Sequence, residues 1–141
     1  MIISKIEDME RLEKLEVLIL ELQELSENGA IIVVEGRKDV ESLRFLGING
    51  EIKLASQQPL LEFTESLSKS GKEIVLLTDW DKKGGIVAGK IIKHLSAYGI
   101  IPITNIRTRL RALSKKRIKD IESLNNYVNK LRYEIHGISG F

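Results

Sequence analysis

Apolar residues recur along this chain in two rhythms, which divide it into alternating helices and strands. From about Ser4 to Glu27, Ile6, Met9, Leu12, Leu15, Leu18, Leu22 and Leu25 follow one another at three- and four-residue steps, with Glu and Lys filling the other face. That spacing predicts one amphipathic helix, stopped by Asn28-Gly29. Its stripe broadens at Val17-Leu18-Ile19-Leu20, so the helix either packs on the core or also offers a homodimer contact. The rhythm then changes. Ala30-Ile31-Ile32-Val33-Val34 is continuous and β-branched, as expected of a buried strand.

The alternation continues. A helix is predicted from about Lys38, with Val40, Leu43 and Leu46 inward and Gly47 at its end; Ile52 to Ala55 reads as a short strand after the Asn49-Gly50 turn. Pro59 opens a further helix that runs to Ser70-Gly71, and Ile74 to Leu77 is a second buried strand. A helix from about Gly85 to Tyr98 follows, then a last strand at Ile100 to Ile103, placed at an edge or a strand end by Pro102. Strands alternating with helices imply a central, mostly parallel four-stranded sheet flanked by helices, an α/β fold. Beyond it, Ile106 to Arg111 alternates strictly. As an extended segment it would show Arg107, Arg109 and Arg111 on one face, but it could equally open a helix. Ser114 to Arg132 is predicted helical and Gly137 to Phe141 frayed.

The 141 residues suit one domain, with a core at about 30–104, a helix at 4–28 before it and a basic helical extension at 105–141 after it. Cysteine is absent, which excludes disulfides, thiolate metal sites and a thiol nucleophile. No run approaches membrane-spanning length, and early acidic residues replace any secretory pattern, so a soluble cytoplasmic protein is expected. Net charge is only +2, but it is polarised: three basic and eight acidic residues through Asn28, nine basic and three acidic from Pro102 onward. Such polarity points to a polyanionic partner.

The chemistry gathers at Leu76-Leu77-Thr78-Asp79-Trp80-Asp81-Lys82-Lys83-Gly84. Two carboxylates leave the core at the end of a buried strand, the edge where open α/β sheets bind ligands. Hard cations such as Mg²⁺ take one or two protein carboxylates together with substrate phosphates. The first long strand ends in another carboxylate, in Glu35-Gly36-Arg37-Lys38-Asp39. In a parallel sheet both strand tips face the same edge, so three carboxylates can converge there. As a plain alternative, Asp-x-Asp-Lys-Lys-Gly also makes an ordinary turn. Trp80 can stack on a base or, more simply, pack under its loop. His94 and His136 have neither ligand spacing nor a nucleophile partner and are read as structural.

Together Val33-Val34-Glu35-Gly36 and Leu77-Thr78-Asp79-Trp80-Asp81-x-x-Gly84 resemble the marks of the Toprim domain, a Rossmann-like fold shared by topoisomerases, bacterial-type primases, ribosomal RNA maturases and some repair proteins. The resemblance covers roughly Ala30 to Thr104 and looks closest to the maturase-like and small stand-alone proteins, because nothing here has room for a topoisomerase cleavage domain or a primase zinc domain. It implies that Asp79 and Asp81 bind Mg²⁺, with Mn²⁺ as a substitute, and that Glu35 completes the metal shell or acts as general acid/base. Arg37, Lys38, Lys82 and Lys83 either grip phosphate or, more simply for any single Lys, are solvated surface charges, and Gly36 and Gly84 would let backbone amides approach a phosphate. Arg107, Arg109, Arg111, Lys115, Lys116 and Arg117 form the densest basic cluster, either a contact to a nucleic-acid backbone or a solvated face. Two functions are expected to compete. One is a Mg²⁺-dependent nuclease of ribosomal RNA maturase type, acting on RNA in preference to DNA. The other is a module that holds a metal and binds nucleic acid or a ribonucleoprotein without cutting it.

Overall fold

The structure, a computed structural model, describes residues 2–114 and 117–137. Lys115, Lys116 and residues 138–141, part of the basic cluster and of the predicted frayed end, lie outside the described residues. In chain order the elements are α1 (Ile2–Glu27), β1 (Ile31–Val34), α2 (Arg37–Phe45), β2 (Ile52–Leu54), α3 (Leu60–Ser68), β3 (Ile74–Leu76), α4 (Lys82–Ser96), α5 (Asn105–Ser114) and α6 (Leu124–His136). A short 3₁₀ turn at Ala55–Gln57 links β2 to α3.

The three strands are parallel and lie in the order β2-β1-β3. β1 is buried along its whole length because helices cover both faces of the sheet. Alternation sorts its side chains into two cores. Ile32 and Val34, with Val75 and Leu77, face α1, α2, α5 and α6; Ile31 and Val33, with Ile74 and Leu76, face α3 and α4. α1 buries Leu12, Leu15, Leu18, Ile19 and Leu22 in the first of these cores. Ile6 and Met9, part of the same predicted stripe, stay about half exposed because the first turns of α1 extend past the body.

Two predicted elements differ, and one open between two readings is settled. The fourth strand is reduced to one parallel bridge, Val75 to Ile103, in which Ile103 donates to Ile74 and Leu76 donates to Ile103. Pro102 has no N–H to extend the ladder. The alternating Ile106–Arg111 segment is helical, within α5, because Ile106 and Leu110, four apart, are the buried pair. That periodicity sends Arg107 and Arg111 to one side and Arg109 to another, where it pairs with Glu21 at 2.5 Å. The long helix predicted from Ser114 starts only at Leu124; residues 117–123 form a bent strap that crosses back toward the sheet edge.

Candidate metal centre

The strand order decides where the site lies. The chain passes from β1 outward to β2 and then returns to the other side of β1 to lay down β3. The crevice at such a reversal, at the carboxyl ends of the strands, is where open parallel sheets receive ligands. Val33 pairs with Leu76, and the Leu77 N–H donates to the Val33 carbonyl at 2.8 Å. The two strand tips therefore leave the sheet side by side, and the residues just beyond them meet. Glu35 accepts the Asp79 backbone N–H on Oε2 at 2.8 Å.

Asp79 is the residue under most electrostatic pressure. Burial first, then the adjacent Glu35 carboxylate, push its carboxyl up to about 7, with Asp39 and Asp120 adding to the effect. Its Oδ1 is buried and, among the described residues, has no hydrogen-bond partner. A buried lone pair without a donor is costly, and like charges side by side call for a proton or a cation between them. Asp81 behaves differently. It is exposed, and its Oδ1 accepts the Gly84 N–H at 2.7 Å as the N-cap of α4. Among the described residues, no group of three His, Asp or Glu side chains is arranged to hold a metal ion. The structure thus brings Glu35 and Asp79 together and gives Asp81 to the helix cap. An all-oxygen pair with one orphaned lone pair fits a hard divalent cation that keeps most of its water.

Two further carboxylates surround this pair, and sequence reading assigned neither. Asp39 is buried and accepts the Gly36 N–H at 2.9 Å, the reach-back half of a capping box at the start of α2, where Gly36 has no side chain to return the bond. Burial raises its pKa although the Gly36 and Glu122 N–H groups favour its charged form. The spacing of Glu35-Gly36-x-x-Asp39 carries that capping signal. Asp120 comes from the strap, and no local pattern announces it.

The strap is held by the acidic loop itself. Trp80 is buried; its indole N–H donates to the Ile118 carbonyl and its backbone N–H to the Lys119 carbonyl, both at 2.8 Å. Ser42 of α2 accepts the Asn125 N–H at 3.1 Å. Trp80 is therefore a packed tether, the simpler of its two expected roles.

The basic residues divide in the same way. Arg107 donates from Nε to the Thr78 carbonyl at 2.8 Å and from its terminal amino group to the Asp79 carbonyl at 2.6 Å. It clamps the loop that carries the carboxylates. Burial, then Arg111, lower its pKa, while Glu35, Asp79 and Asp81 act in the opposite sense. Arg109 is taken by Glu21, and Lys38 lies 4.0 Å from Glu122. Arg37, Arg111, Lys82 and Lys83 are exposed.

The glycines serve the scaffold. A Cβ on Gly84 would stand 2.0 Å from the Asp79 carbonyl oxygen, so a side chain has no room there. Thr78 Oγ1 donates to the Gly84 carbonyl at 3.0 Å, which closes the turn from strand to helix. The Gly36 N–H is likewise committed, to Asp39. The backbone amides expected to meet phosphate at these two glycines are instead spent within the protein.

A parallel Rossmann-like sheet with Glu35 after its first strand and Asp79-x-Asp81 after its last defines a Toprim domain. The chain belongs to the Toprim domain family, whose model matches residues 30–121, a span that includes the strap and Asp120. It is similar to archaeal UPF0292 proteins. The one from Methanosarcina acetivorans is 48% identical over 86% of this chain and 85% of its own length. That from Methanocaldococcus jannaschii is 41% identical over 86% of this chain and 94% of its own. A solved structure of a protein from Aquifex aeolicus superposes with a TM-score of 0.65 at 28% identity, covering 75% of this chain and 94% of that one. Family membership carries a metal-binding, nucleic-acid-related function, and Toprim domains bind divalent ions such as Mg²⁺. Among the described residues, no helix is long and apolar enough to cross a membrane.

Proposed function

We propose that this protein is a Mg²⁺-dependent phosphoryl-transfer enzyme that hydrolyses phosphodiester bonds in nucleic acid, RNA in preference to DNA, in the manner of a ribosomal RNA maturase. The observation that carries this reading is the Glu35–Asp79 pair, whose buried Asp79 Oδ1 has no partner among the described residues, set beside Arg107 at the switch point of the sheet. Glu35 and Asp79 would hold the ion, with Asp81 within reach through water. Bound there, Mg²⁺ supplies charge neutralisation at phosphate oxygens and lowers the pKa of a coordinated water. Glu35 ties one oxygen to the Asp79 N–H and keeps Oε1 to accept the proton that the attacking water loses as its oxygen bonds to phosphorus. The leaving oxygen departs as the phosphorus–oxygen bond breaks and takes a proton from solvent. Arg107 fixes the acidic loop by two of its donors, and Lys82 and Lys83 stand exposed on the α4 side to meet phosphate.

The test is cleavage of structured RNA and of DNA with Mg²⁺, wild type against Asp79→Ala and Glu35→Gln. Loss of cleavage in both variants is expected; activity equal to wild type in both rejects the enzyme. One observation favours the second reading, a module that holds a metal and binds nucleic acid or a ribonucleoprotein without turnover: two carboxylates converge at the site, and Asp81 is occupied as a helix cap. That reading expects salt-sensitive binding with no cleavage under any of these conditions.

A further inference from the structure

The cations of this protein are unevenly committed. Arg11, Lys53, Lys69, Lys72, Arg109 and Arg132 each have a carboxylate partner within 3.2 Å. Arg37, Arg111, Lys119 and Lys130 have none among the described residues, and helix α4 gathers the largest set of such cations on one element. It carries Lys82, Lys83, Lys90, Lys93 and His94 and no Asp or Glu. All four lysines are exposed, and none pairs with a carboxylate among the described residues.

Their placement is also unusual. The buried stripe of α4 is Gly84, Ala88, Ile91 and Leu95. At about 100° per residue, Lys82, Lys90 and Lys93 fall on the opposite side with Gly89, and Lys83 borders them. Lys82 and Lys83 occupy the first turn, where the helix dipole disfavours positive charge and welcomes an anion. Gly89 lies in the helix interior, where glycine costs roughly 0.5–1 kcal/mol relative to alanine. Nothing packs there: a Cβ at Gly89 would meet no atom within 4 Å. Two features that cost stability, unopposed cations and a bare glycine, thus share one outward face that begins at the acidic loop.

We propose that the outer face of α4 is the track along which the sugar–phosphate backbone of a nucleic acid leaves the carboxylate site, with Lys90 and Lys93 as phosphate contacts and Gly89 as the point of closest approach. This rests on the nucleic-acid reading above and names the surface that serves it. From Lys82 to Lys93 the helix rises about 16 Å, long enough to meet more than one phosphate of a strand that carries one charge per about 3.4 Å of duplex axis. The direction is set by where the face starts: its first turn is continuous with Asp79 and Asp81, so a strand engaged at the carboxylates has this helix ahead of it. Two of the three arginines of α5 are less free for the task, because Arg107 holds backbone carbonyls and Arg109 holds Glu21, while Arg111 stays exposed.

The experiment compares wild type, Lys90→Gln/Lys93→Gln and Lys69→Gln/Lys72→Gln by fluorescence anisotropy. The probes are a labelled hairpin RNA and a duplex DNA, titrated over a series of NaCl concentrations. The two double variants change net charge equally, but Lys69 and Lys72 are ion-paired on another element. For the α4 pair the affinity is expected to fall roughly tenfold, with a log–log salt slope shallower by about 1.4–1.8. The Lys69/Lys72 pair is expected to match wild type more closely. Gly89→Gln, which fills the bare point without adding charge, is expected to weaken binding with no loss of folding stability. Equal effects from both double variants, or none from the α4 pair while wild type binds, overturn the track and leave the carboxylate site standing. Wild type that binds neither probe at low salt, including wild type that binds only anionic vesicles, overturns the track and the nucleic-acid reading together.

Discussion

The Glu35 carboxylate accepts the backbone N–H of Asp79 while its charge opposes the carboxylate that the same residue carries. One bond draws two strand tips together; the repulsion makes their meeting dependent on a proton or a cation. In the metal-free protein this has a definite sign. The Asp79 carboxyl titrates near 7 when folded against 3.8 as its ordinary value, so between these limits the folded chain binds a proton that the unfolded chain has released. The contribution to stability is fully present below the lower value and is lost as pH rises through the upper one. Asp79→Asn removes this penalty. Urea unfolding at pH 8 without metal should find the variant more stable by roughly 1–2 kcal/mol, discounted for the solvent that reaches this half-buried side chain. The gap should close by about pH 4.

Metal addition should reverse that order. A ligand that binds only the folded chain stabilises it by about 2.7 kcal/mol at a hundred times its dissociation constant. Mg²⁺ or Mn²⁺ at pH 8 should therefore raise the urea midpoint of wild type. The increase should be lost in Asp79→Asn and reduced in Glu35→Gln, which keeps an oxygen to accept the Asp79 N–H. Midpoints that move equally in all three proteins would place the ion elsewhere.

Trp80→Phe keeps an aromatic ring under the loop but removes the donor to the Ile118 carbonyl. The expected cost is about 1–2 kcal/mol, the range for a broken buried hydrogen bond. Its distribution is the more telling readout. Amide exchange should quicken in the strap at 117–123 and in the acidic loop and first turn of α4, residues 79–85, together, and stay unchanged in α3. A uniform rise across the chain would mean that the tether has only a general role in packing.

Gly84 and Gly89 lie on the same helix and should respond oppositely to alanine. At Gly84 the new Cβ would fall within the Asp79 carbonyl, so the turn must open; a loss above about 2 kcal/mol is expected, with weakened metal binding. At Gly89 the Cβ points into open space, and a gain of roughly 0.5–1 kcal/mol is expected from the helix propensity alone. Thermal unfolding of the two single variants measures both.

What was legible in the sequence follows from the range of the forces involved. The helices α1 to α4, the strands β1 to β3 and the pairing of Glu35 with Asp79 come from local periodicity and from the rule that parallel strands end at one edge. Ile100–Ile103 misled because its β-branched run says nothing of how many neighbours it will find, and Pro102 leaves it a single bridge. The Ile106–Arg111 stretch fits both periods, and only the burial of Ile106 and Leu110 decides between them. Asp81 carried two readings at once, ligand and turn residue, and the bond to Gly84 belongs to the second. Asp120 was illegible because its strap is brought to the site by the bonds of Trp80 to Ile118 and Lys119, some forty positions away in sequence, and it acts there on Asp39, some eighty away.

The strap also fixes how little of the chain could stand alone. A fragment cut after Thr104 would keep every strand, both Asp of the motif and Glu35, and would look complete on a topology diagram. It would lack the carbonyls that receive the two N–H groups of Trp80 and the guanidinium that spans Thr78 and Asp79. Excising the smallest recognisable sheet would therefore yield a piece with its acidic tip unmoored, and a transplant of this centre onto another scaffold must carry residues 105–125 with it.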